Sequence, residues 1–357
     1  MSKVSRIILV VAMLSMTYFV MGCQPAAAAT EAAPAAAETV AEAPAAAAPA
    51  ADVAVKAHYK FAWIMPDMFN PFWVYMRQGA EKAAVEMKAE GIQIDIQQMA
   101  PINTFNVEEQ VAIFENAITM KVDAIGICVI DQTTVIDQVN KAVAAGIPVA
   151  ALSTDIPNTK RTIYSGFDNI KQATDVGEYV IEHNEGKGNY IILSGLAGNL
   201  ISEQRDTGYK AAIANHADTK LLDLQPANFN RAEGMSVMEN MLQKYGPGQI
   251  QGVFCVNDEV ALGAIEAIYA AGREKEIAVG SIDGNMDAAH SIKDGKMLVT
   301  SSSDPWYEGY VAVKGLVEFL QTGKTAENPE VKPILYDASN VDELLAKAET
   351  YASYYKP

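Results

Sequence analysis

The feature that most constrains the fold is a regular alternation of strand-like and helix-like segments that begins at residue 58. Most of the strand-like runs are almost continuously apolar, which is typical of strands covered on both faces. The segments between them carry apolar residues every three or four positions, as amphipathic helices do. This alternation predicts parallel, doubly wound α/β sheets. The strand-like runs are HYKFAWIM, IQIDIQQM, AIGICVI, IPVAAL, TIYSGF, YIILSG, LLDLQP, GVFCVND, IAVGSID and MLVTSSS.

These runs are too many for one compact sheet of this kind, so we predict two doubly wound parallel-sheet lobes. A body of about 300 residues also favours two domains. IQIDIQQM alternates apolar and polar residues, which predicts a strand at a sheet edge or half covered. Two helices should end at Gly146 and Gly272, a third should begin at Pro305 after an Asp304 cap, and NVDELLAKAETYASYY should form the last helix.

The first residues of the chain have the pattern of a secretory signal. Lys3 and Arg6 precede an apolar run that is too short and wrongly flanked for a stable membrane span. The run ends in Val20-Met21-Gly22-Cys23, which resembles a bacterial lipobox despite Val in the usual Leu position. The resemblance implies that residues 1–22 are removed and that Cys23 receives a lipid anchor. A plain signal peptide with a chance cysteine is the alternative.

Residues 24–56 are mostly alanine, with Pro34, Pro44 and Pro49 interrupting any helix. A segment with so little apolar bulk should stay unpacked, so we interpret 23–56 as a lipidated Cys and a disordered spacer. Its contour length is at most roughly 110 Å, enough for a tethered domain to stand away from a membrane. The membrane is therefore an expected partner through the anchor, and the location is the extracytoplasmic side of the cell envelope.

The net charge and the cysteines of the chain limit which binding partners and which cross-links are expected. The net charge is −17, and a surface this acidic repels nucleic acid and anionic lipid. Cys128 and Cys255 lie in apolar strand-like runs, where buried free thiols are expected, although the sequence does not exclude a disulfide.

Polar and aromatic residues collect where the strand-like runs end. In parallel α/β sheets, ligands bind beyond these carboxyl ends. Carboxylates, amides and a guanidinium offer paired donors and acceptors, and aromatic faces offer flat apolar surfaces, which together suit a sugar. The set comprises Asn70 to Trp73, Cys128 to Asp131, Ser153 to Asp155, Asn199 with Arg205, Ala227 to Phe229, Asn257 to Glu259, and Asp283 to Asn285.

No residue pattern in this set predicts catalytic activity. The sequence has no nucleophile elbow, no histidine or cysteine pair at metal-ligand spacing and no Walker loop. The Gly-rich GLAGN does not match a dinucleotide fingerprint. We therefore expect a protein that is not an enzyme and that carries no cofactor and no metal.

The body, residues 57 to about 340, resembles the ribose-binding-protein type of periplasmic binding protein, which shares its fold with the ligand domain of lactose-repressor-type regulators. The matching words are FNPFW, GIPVAAL, EQRDTGY, PANFNRAEG, VNDEVALGA and SIDGN, in the family's order. The resemblance implies a type I periplasmic binding fold, in which crossover hinge strands join the lobes. It also implies a monosaccharide bound in the cleft and delivered to the permease of an ABC importer. The predicted lobes are 57–168 plus 303–331 (N-terminal) and 169–302 plus 332–357 (C-terminal).

The resemblance also implies individual ligand contacts. Two rings of the first lobe would face the sugar, with the ring of Phe229 opposite them. Arg205 would grip ring and hydroxyl oxygens, and Asn257 and Asp283 would close the hydroxyl network. The implied ligand-binding residues are Asn70, Phe72, Trp73, Arg205, Phe229, Asn257 and Asp283.

The chain departs from the ribose binder at the positions of an Asp-Arg pair, where it has Ser153-Thr154, and of a pocket Gln, where it has Ser303. Cys128 stands in place of an Asn. A site built for one hydrogen-bond pattern rejects others strongly, so ribose itself is not expected. Asp155 is the expected replacement carboxylate, and Cys128, Ser153, Thr154 and Ser303 form a second set of candidate contacts.

Structural roles compete with these assignments. Phe72 and Trp73 also suit core packing, Arg205 a surface ion pair, and Asp155 and Asp283 turn formation. At the level of function, a module that presents its bound sugar or signal molecule to a chemoreceptor or histidine kinase would look almost identical to a transport protein. We expect a monomer that closes about a hinge when ligand bridges both lobes.

Overall fold

The structure is a computed structural model that describes residues 56–324 and 331–354. The predicted signal segment 1–22, the candidate lipid site Cys23 and the spacer up to residue 55 lie outside the described residues. No helix among those described is long and apolar enough to cross a membrane.

The first half of the described chain builds one parallel sheet, sheet A. Its strands are β1 (His58–Ile64), β2 (Gln93–Met99), β3 (Ala124–Ile127), β4 (Val149–Ser153) and β5 (Ile163–Gly166). Their order across the sheet is β2-β1-β3-β4-β5, and every pairing is parallel. The alternating β2 is an edge strand, as its sequence predicted.

Sheet B takes the later strands. They are β6 (Lys187–Ser194), β7 (Asp218–Pro226), β8 (Gly252–Cys255), β9 (Ala278–Ile282), β10 (Val299–Ser302) and β11 (Ile334–Tyr336). The order is β11-β10-β9-β8-β6-β7, and only the β10–β11 pairing is antiparallel. The short edge strand β11 was not among the predicted strands. The two doubly wound sheets confirm the predicted fold class.

Helices cover the sheets at the predicted places. They are α1 (Pro71–Ala89), α2 (Val107–Thr119), α3 (Ile136–Ala144), α4 (Asn169–His183), α5 (Leu200–Ala214), α6 (Arg231–Lys244), α7 (Asp258–Ala270), α8 (Met286–Lys293), α9 (Pro305–Thr322) and α10 (Val341–Ser353). Gly146 and Gly272 follow α3 and α7 with φ of 80° and 67°, the left-handed conformation of a C-terminal cap. These two caps, the start of α9 and the final helix agree with the sequence prediction.

The chain passes from sheet A to sheet B between β5 and α4, and returns between β10 and α9. Helix α9 packs on α1, β4 and β5, so it belongs with sheet A although it comes late in the chain. It then leads toward β11 of sheet B, through residues 325–330 that lie outside the described part. We call sheet A with its helices, including α9, the N-lobe, and sheet B with its helices the C-lobe. The exact boundaries at 168/169, 302/303 and 331/332 remain a proposal.

Two glycines fix the contact between α1 and α9. A Cβ on Gly79 would collide with the backbone carbonyl of Trp306, and a Cβ on Gly309 would collide with that of Met76. The backbones therefore approach more closely than any side chain allows. This contact holds the first turn of α9 against the N-lobe, next to the carboxyl ends of β4 and β5.

Candidate functional site

A cavity with about 400 Å³ of empty space lies between the carboxyl ends of the two sheets. The residues that line it come from both lobes: Asn70, Phe72, Trp73, Phe105, Ser153, Phe167, Asn169, Ile201, Arg205, Phe229, Asn257 and Asp283. The structure thus brings together seven of the eight principal residues predicted from the sequence, the exception being Asp155.

The N-lobe wall of the cavity is built by the start of α1. Asn70 caps this helix, since its side-chain oxygen accepts a hydrogen bond from the Phe72 amide at 3.0 Å, and Pro71 occupies the first helical position. The cap leaves the amide nitrogen of Asn70 for a ligand. Phe72 and Trp73 meet edge to face, with ring centroids 4.8 Å apart, and both rings are buried and line the cavity.

The C-lobe wall is charged and centres on Arg205 of α5. Its Nη1 donates to the backbone carbonyl of Val256 at 2.6 Å, and its Nε donates to the side-chain oxygen of Asn169 at 3.2 Å. Nη1 also lies 3.6 Å from a carboxylate oxygen of Asp283. Only 3% of Arg205 is exposed, so these contacts hold the guanidinium in one orientation.

Asp283 stands beside this guanidinium at the end of β9. Burial raises the pKa of its carboxyl group well above the ordinary value, although Arg205 opposes the shift. Behind it, Asp258 accepts hydrogen bonds from the Thr300 hydroxyl at 2.7 Å and the Asn285 amide at 2.8 Å, and from the Ser281 hydroxyl. Burial raises the pKa of Asp258 to about 6. Asp258 therefore holds the turn that carries Asp283.

Asn257 completes the C-lobe wall from the start of α7. Its side-chain oxygen caps the helix by accepting from the Val260 amide at 3.1 Å, and its side chain also donates a hydrogen bond to the Asp283 carboxyl group, which opposes the rise in the pKa of Asp283. Asn70 and Asn257 thus each cap a helix and line the cavity, on opposite walls.

Phe229 faces a ring that was not among the predicted contacts. It stacks on Phe105 of the β2–α2 loop, with centroids 5.1 Å apart and planes 15° apart, so the pair bridges the two lobes. Both residues adopt positive φ, 59° at Phe105 and 56° at Phe229, which is uncommon for aromatic residues. The sequence predicts Trp73 opposite Phe229, but Phe105 is the ring that stacks on it.

Asp155, the expected replacement carboxylate, does not line the cavity. Its carboxylate pairs with the guanidinium of Arg161, whose Nη2 donates at 2.8 Å, and also accepts from the Ile156 amide. The STDIP segment turns this side chain toward a local partner.

The second set of candidates divides in the same way. Ser153 lines the cavity, whereas Cys128, Thr154 and Ser303 are buried outside its lining. Cys128 and Cys255 are both free, and burial raises the pKa of both thiols.

Four further residues line the cavity and were not predicted: Phe105, Phe167, Asn169 and Ile201. Phe105 lies after β2, and Phe167 and Asn169 lie after β5. The loops after these two strands carry the same signal as the others, because all parallel strands of a sheet end at one edge, so the sequence could have identified these three. Ile201 lies in the first turn of α5 and carries no comparable signal.

The two lobes also meet outside the cavity. Asn199 donates from its side-chain nitrogen to the backbone carbonyl of Ile130 at 2.8 Å across the cleft. At the base of α9, the rings of Trp306 and Tyr351 stack with centroids 4.3 Å apart, which ties α10 to the N-lobe. The lobes are therefore in contact around the cavity, as in a closed clamp.

The arrangement suits the binding of a small polyhydroxylated molecule. A guanidinium, a carboxyl group and two amides can exchange hydrogen bonds with hydroxyl groups, and the rings can cover apolar faces. Among the described residues, no group of three or more His, Cys, Asp or Glu side chains is arranged to hold a metal ion.

Comparisons with known proteins agree with this geometry. Residues 61–325 match the family described as periplasmic binding protein domain. The ribose import binding protein of Bacillus subtilis is 34% identical over 74% of this chain and 82% of its own length, and the D-allose-binding periplasmic protein of Escherichia coli is 27% identical over 74% and 86%.

Solved structures show the same relationship. A periplasmic solute-binding protein of an ABC transporter from Actinobacillus succinogenes, with bound D-allose, gives a TM-score of 0.74 at 28% identity over 80% of this chain and 99% of that one. An ABC transporter solute-binding protein from Bacillus halodurans, with bound myo-inositol, gives 0.74 at 29% over 82% and 99%. The chain therefore belongs to the periplasmic binding protein family, whose members are extracytoplasmic binding proteins of transport systems and not enzymes.

Proposed function

We propose that this protein is the extracytoplasmic substrate-binding lipoprotein of an ABC importer. It captures a monosaccharide, a pentose or hexose other than ribose, between its lobes and delivers it to the membrane permease. Relatives named for the import or binding of ribose, D-allose and D-apiose support the substrate class.

The observation that carries the proposal is the composition of the cavity. Arg205, Asp283 and Asn257 form a hydrogen-bonding wall on the C-lobe, and aromatic rings face them from the N-lobe. A sugar ring has hydroxyl edges for the first and flat C–H faces for the second. A flat aromatic cofactor would leave the charged wall without partners, which is costly in a buried site.

The N-lobe wall argues against ribose. Ser153 and Thr154 stand where the ribose-binder pattern has a charged Asp-Arg pair, and Asp155 does not restore a carboxylate at the cavity because it pairs with Arg161. Losing a bidentate charged pair removes hydrogen bonds on which ribose depends, so a sugar with a different hydroxyl arrangement should bind more tightly.

Ligand closes the protein by bridging the two walls. In the open form, the cavity is exposed to water. A sugar that contacts both Arg205 and Trp73 stabilises the closed form, in which Phe105 stacks on Phe229. The closed surface is the form that the permease receives.

A thermal-shift screen tests the substrate class. D-ribose, D-allose, D-apiose, D-xylose, D-galactose and myo-inositol would each be added to the folded protein, since a ligand that binds only the native state raises the melting midpoint. We expect at least one sugar to raise it, and to do so more than ribose. Tightest binding of ribose would contradict the substrate assignment, and no response to any sugar would contradict the proposed function.

The lipid anchor is a separate part of the proposal. Cys23 is the proposed acylated residue, which places the protein on the outer side of a membrane through its spacer. Mass spectrometry of the mature protein should show an N-terminal diacylglyceryl cysteine, and Cys23→Ser should release the protein into the soluble fraction. A mature terminus other than Cys23 would contradict it.

The soluble body should act as a monomer, because one chain supplies both walls of the cavity. Light scattering of the body at micromolar concentration should give the mass of one chain, with and without sugar. A stable dimer would contradict this part of the proposal.

A further inference from the structure

Glu308 lies directly behind the N-lobe wall and is not part of the cavity lining. It is completely buried in the first turn of α9. One carboxyl oxygen accepts a hydrogen bond from the hydroxyl of Ser153 at 2.7 Å, and the other accepts from the hydroxyl of Ser303 at 2.9 Å. Through Ser153, this carboxyl group is one hydrogen bond away from the cavity.

The surroundings of Glu308 differ from those of the carboxyl group on the opposite wall. Asp283 has Arg205 at 3.6 Å, but among the described residues no ion pair is made to Glu308. The titratable groups that interact electrostatically with it include Asp304 at the cap of its own helix, Cys128 at the end of β3 and Tyr164 on β5. None of these supplies a positive charge.

Hydrogen bonds from the two serine hydroxyls and from the Ser153 backbone are therefore the main compensation for burying this carboxyl group. Burial raises the pKa of Glu308 to about 8, even though the hydrogen bonds from Ser153 and Ser303 oppose the shift. Near neutral pH the carboxyl group can thus carry a proton. A carboxylate only accepts hydrogen bonds, whereas a carboxylic acid can donate one to a hydroxyl oxygen.

Ser153 is held in place for this contact. It ends β4 with φ of 55°, which a serine adopts only when its surroundings enforce it, and it is one of the residues that line the cavity. When Ser153 donates to Glu308, only its lone pairs remain for a ligand. When Glu308 donates to Ser153, the hydroxyl hydrogen of Ser153 is free to point at the ligand.

We propose that Glu308 is a specificity-determining residue of the cavity, acting through Ser153: its carboxyl group decides whether the Ser153 hydroxyl meets the ligand as a hydrogen-bond acceptor or donor. This inference rests on the proposed function and deepens it. The Ser153 hydroxyl becomes a polar contact of the N-lobe wall, and Glu308 on α9 sets whether it donates or accepts a hydrogen bond. Glu308 lies close to the crossover that carries Ser303. Glu308 is a positioning residue, since it does not touch the ligand itself.

A double-mutant cycle tests the coupling. The sugar would be whichever of D-ribose, D-allose, D-apiose, D-xylose, D-galactose and myo-inositol binds the wild type most tightly by calorimetry. We expect Ser153→Ala and Glu308→Leu each to raise Kd about tenfold, and the double variant to bind no worse than about twofold beyond either. Losses that multiply in the double variant would overturn the proposal.

The pH profile separates positioning from packing. The wild-type Kd should change by about threefold or more between roughly pH 6.5 and pH 9.5, because the charge of Glu308 alters the hydrogen bonds available from Ser153. Glu308→Gln keeps the size and cannot ionise, so its Kd should vary less than that of the wild type over the same range. Identical profiles for the two proteins would overturn the proposal.

Ser165→Ala is the matched control. The Ser165 hydroxyl is also buried and also bonds Glu308, but it donates to the backbone carbonyl at 3.5 Å and does not line the cavity. Its removal should leave Kd within about twofold; a loss as large as that of Ser153→Ala would show that packing around α9, rather than the carboxyl group, sets affinity. If no sugar stabilises the wild type, the proposed function fails and this inference with it. If a sugar binds and the Glu308 variants bind like wild type, only the inference fails.

Discussion

Each wall of the cavity has a buried carboxyl group, and the surroundings of the two groups differ. On the C-lobe, Asp283 lies beside Arg205, and the guanidinium is itself fixed by Val256 and Asn169. On the N-lobe, Glu308 has no ion-pair partner among the described residues. Its hydrogen bonds come from the hydroxyls of Ser153 and Ser303 and from the Ser153 backbone, and Ser153 lies between it and the cavity. Arg205 and Asp283 offer a ligand hydrogen-bond donors and acceptors in fixed directions. The protonation state of Glu308 instead sets whether the Ser153 hydroxyl in front of it donates or accepts.

The difference indicates a division of labour. The C-lobe wall should supply most of the affinity, because its charged groups are desolvated and preorganised. The N-lobe wall should supply shape through its rings and a smaller polar contribution through Ser153 and Asn70. Variants that change one wall at a time can break or sharpen this contrast.

The largest effect should come from breaking the C-lobe pair. Arg205→Ala or Asp283→Ala removes one polar group of the wall and leaves its buried neighbour without a partner, which should cost about 2–5 kcal/mol of binding free energy and weaken sugar binding roughly thirtyfold to several thousandfold. Calorimetry with the tightest sugar measures the loss, and circular dichroism checks the fold.

Arg231→Ala provides the control on the same lobe. Arg231 pairs with Glu259 and Asp287 at 2.9 and 2.8 Å but does not line the cavity, so its removal should change Kd by no more than about threefold. If either Arg205→Ala or Asp283→Ala retained wild-type affinity, the C-lobe wall would not be part of the sugar-binding site.

The next effect concerns stability and pH on the N-lobe side. The pKa of Glu308 is raised to about 8 in the folded protein, so an unfolded chain ionises this group at lower pH than the folded chain does. Folding stability contributed by the protonated form is therefore present at low pH and is lost as pH rises toward 8. Relative to Glu308→Gln, the wild type should lose on the order of 3 kcal/mol between about pH 5 and pH 8.5.

Urea unfolding of the two proteins across this range gives the difference directly. Asp258 and Asp283 also titrate when buried, and subtracting the Glu308→Gln profile cancels their contribution. A constant difference between the two proteins would mean that Glu308 is ionised throughout, and the contrast between the walls would then lose its basis.

A smaller effect should result from removing the stack that joins the walls. Phe105→Ala deletes the ring that packs on Phe229, and ring pairs of this kind contribute about 0.5–1.5 kcal/mol beyond the burial of apolar surface. We expect Kd to rise roughly five- to twentyfold, mainly through faster dissociation, because the ring closes the cavity rather than touching every hydroxyl. Stopped-flow tryptophan fluorescence measures both rates.

Phe105→Gly distinguishes the ring from the backbone. Position 105 has φ of 59°, which glycine adopts freely, so the glycine variant should be more stable than the alanine variant and bind equally poorly. Wild-type affinity in the glycine variant would show that the strained backbone, and not the ring, limits binding.

The smallest effect should appear where α10 reaches the N-lobe. Tyr351→Phe keeps the stack on Trp306 but removes a hydroxyl that donates to the Asp304 carboxylate at 3.0 Å. Asp304 keeps the nearby Lys347 as a partner at 2.6 Å, so the cost should be about 1 kcal/mol, seen as a drop of a few degrees in melting midpoint. Sugar affinity should stay within about twofold, and a larger change would extend the binding machinery to this helix.

The sequence by itself determined the α/β alternation, the two sheets, the helix ends and most of the cavity lining. The reason is local: hydrophobic periodicity reports which faces are covered, and the carboxyl ends of parallel strands converge. Asn70, Arg205, Phe229, Asn257 and Asp283 are identified in this way, supported by family resemblance. Phe105 and Asn169 obey the same rule at β2 and β5, the strands whose ends were not among the predicted positions.

Only the tertiary structure decided which carboxyl group stands at the N-lobe wall. Asp155 follows Ser153 and Thr154 in sequence, but its carboxylate forms an ion pair with Arg161, six residues later. Glu308 is 155 residues from Ser153 and reaches it because α9 returns to the N-lobe and packs closely on α1 through Gly79 and Gly309. Sequence proximity favours local pairing, whereas contact between distant residues depends on how the chain crosses between lobes, and that is a property of the assembled fold.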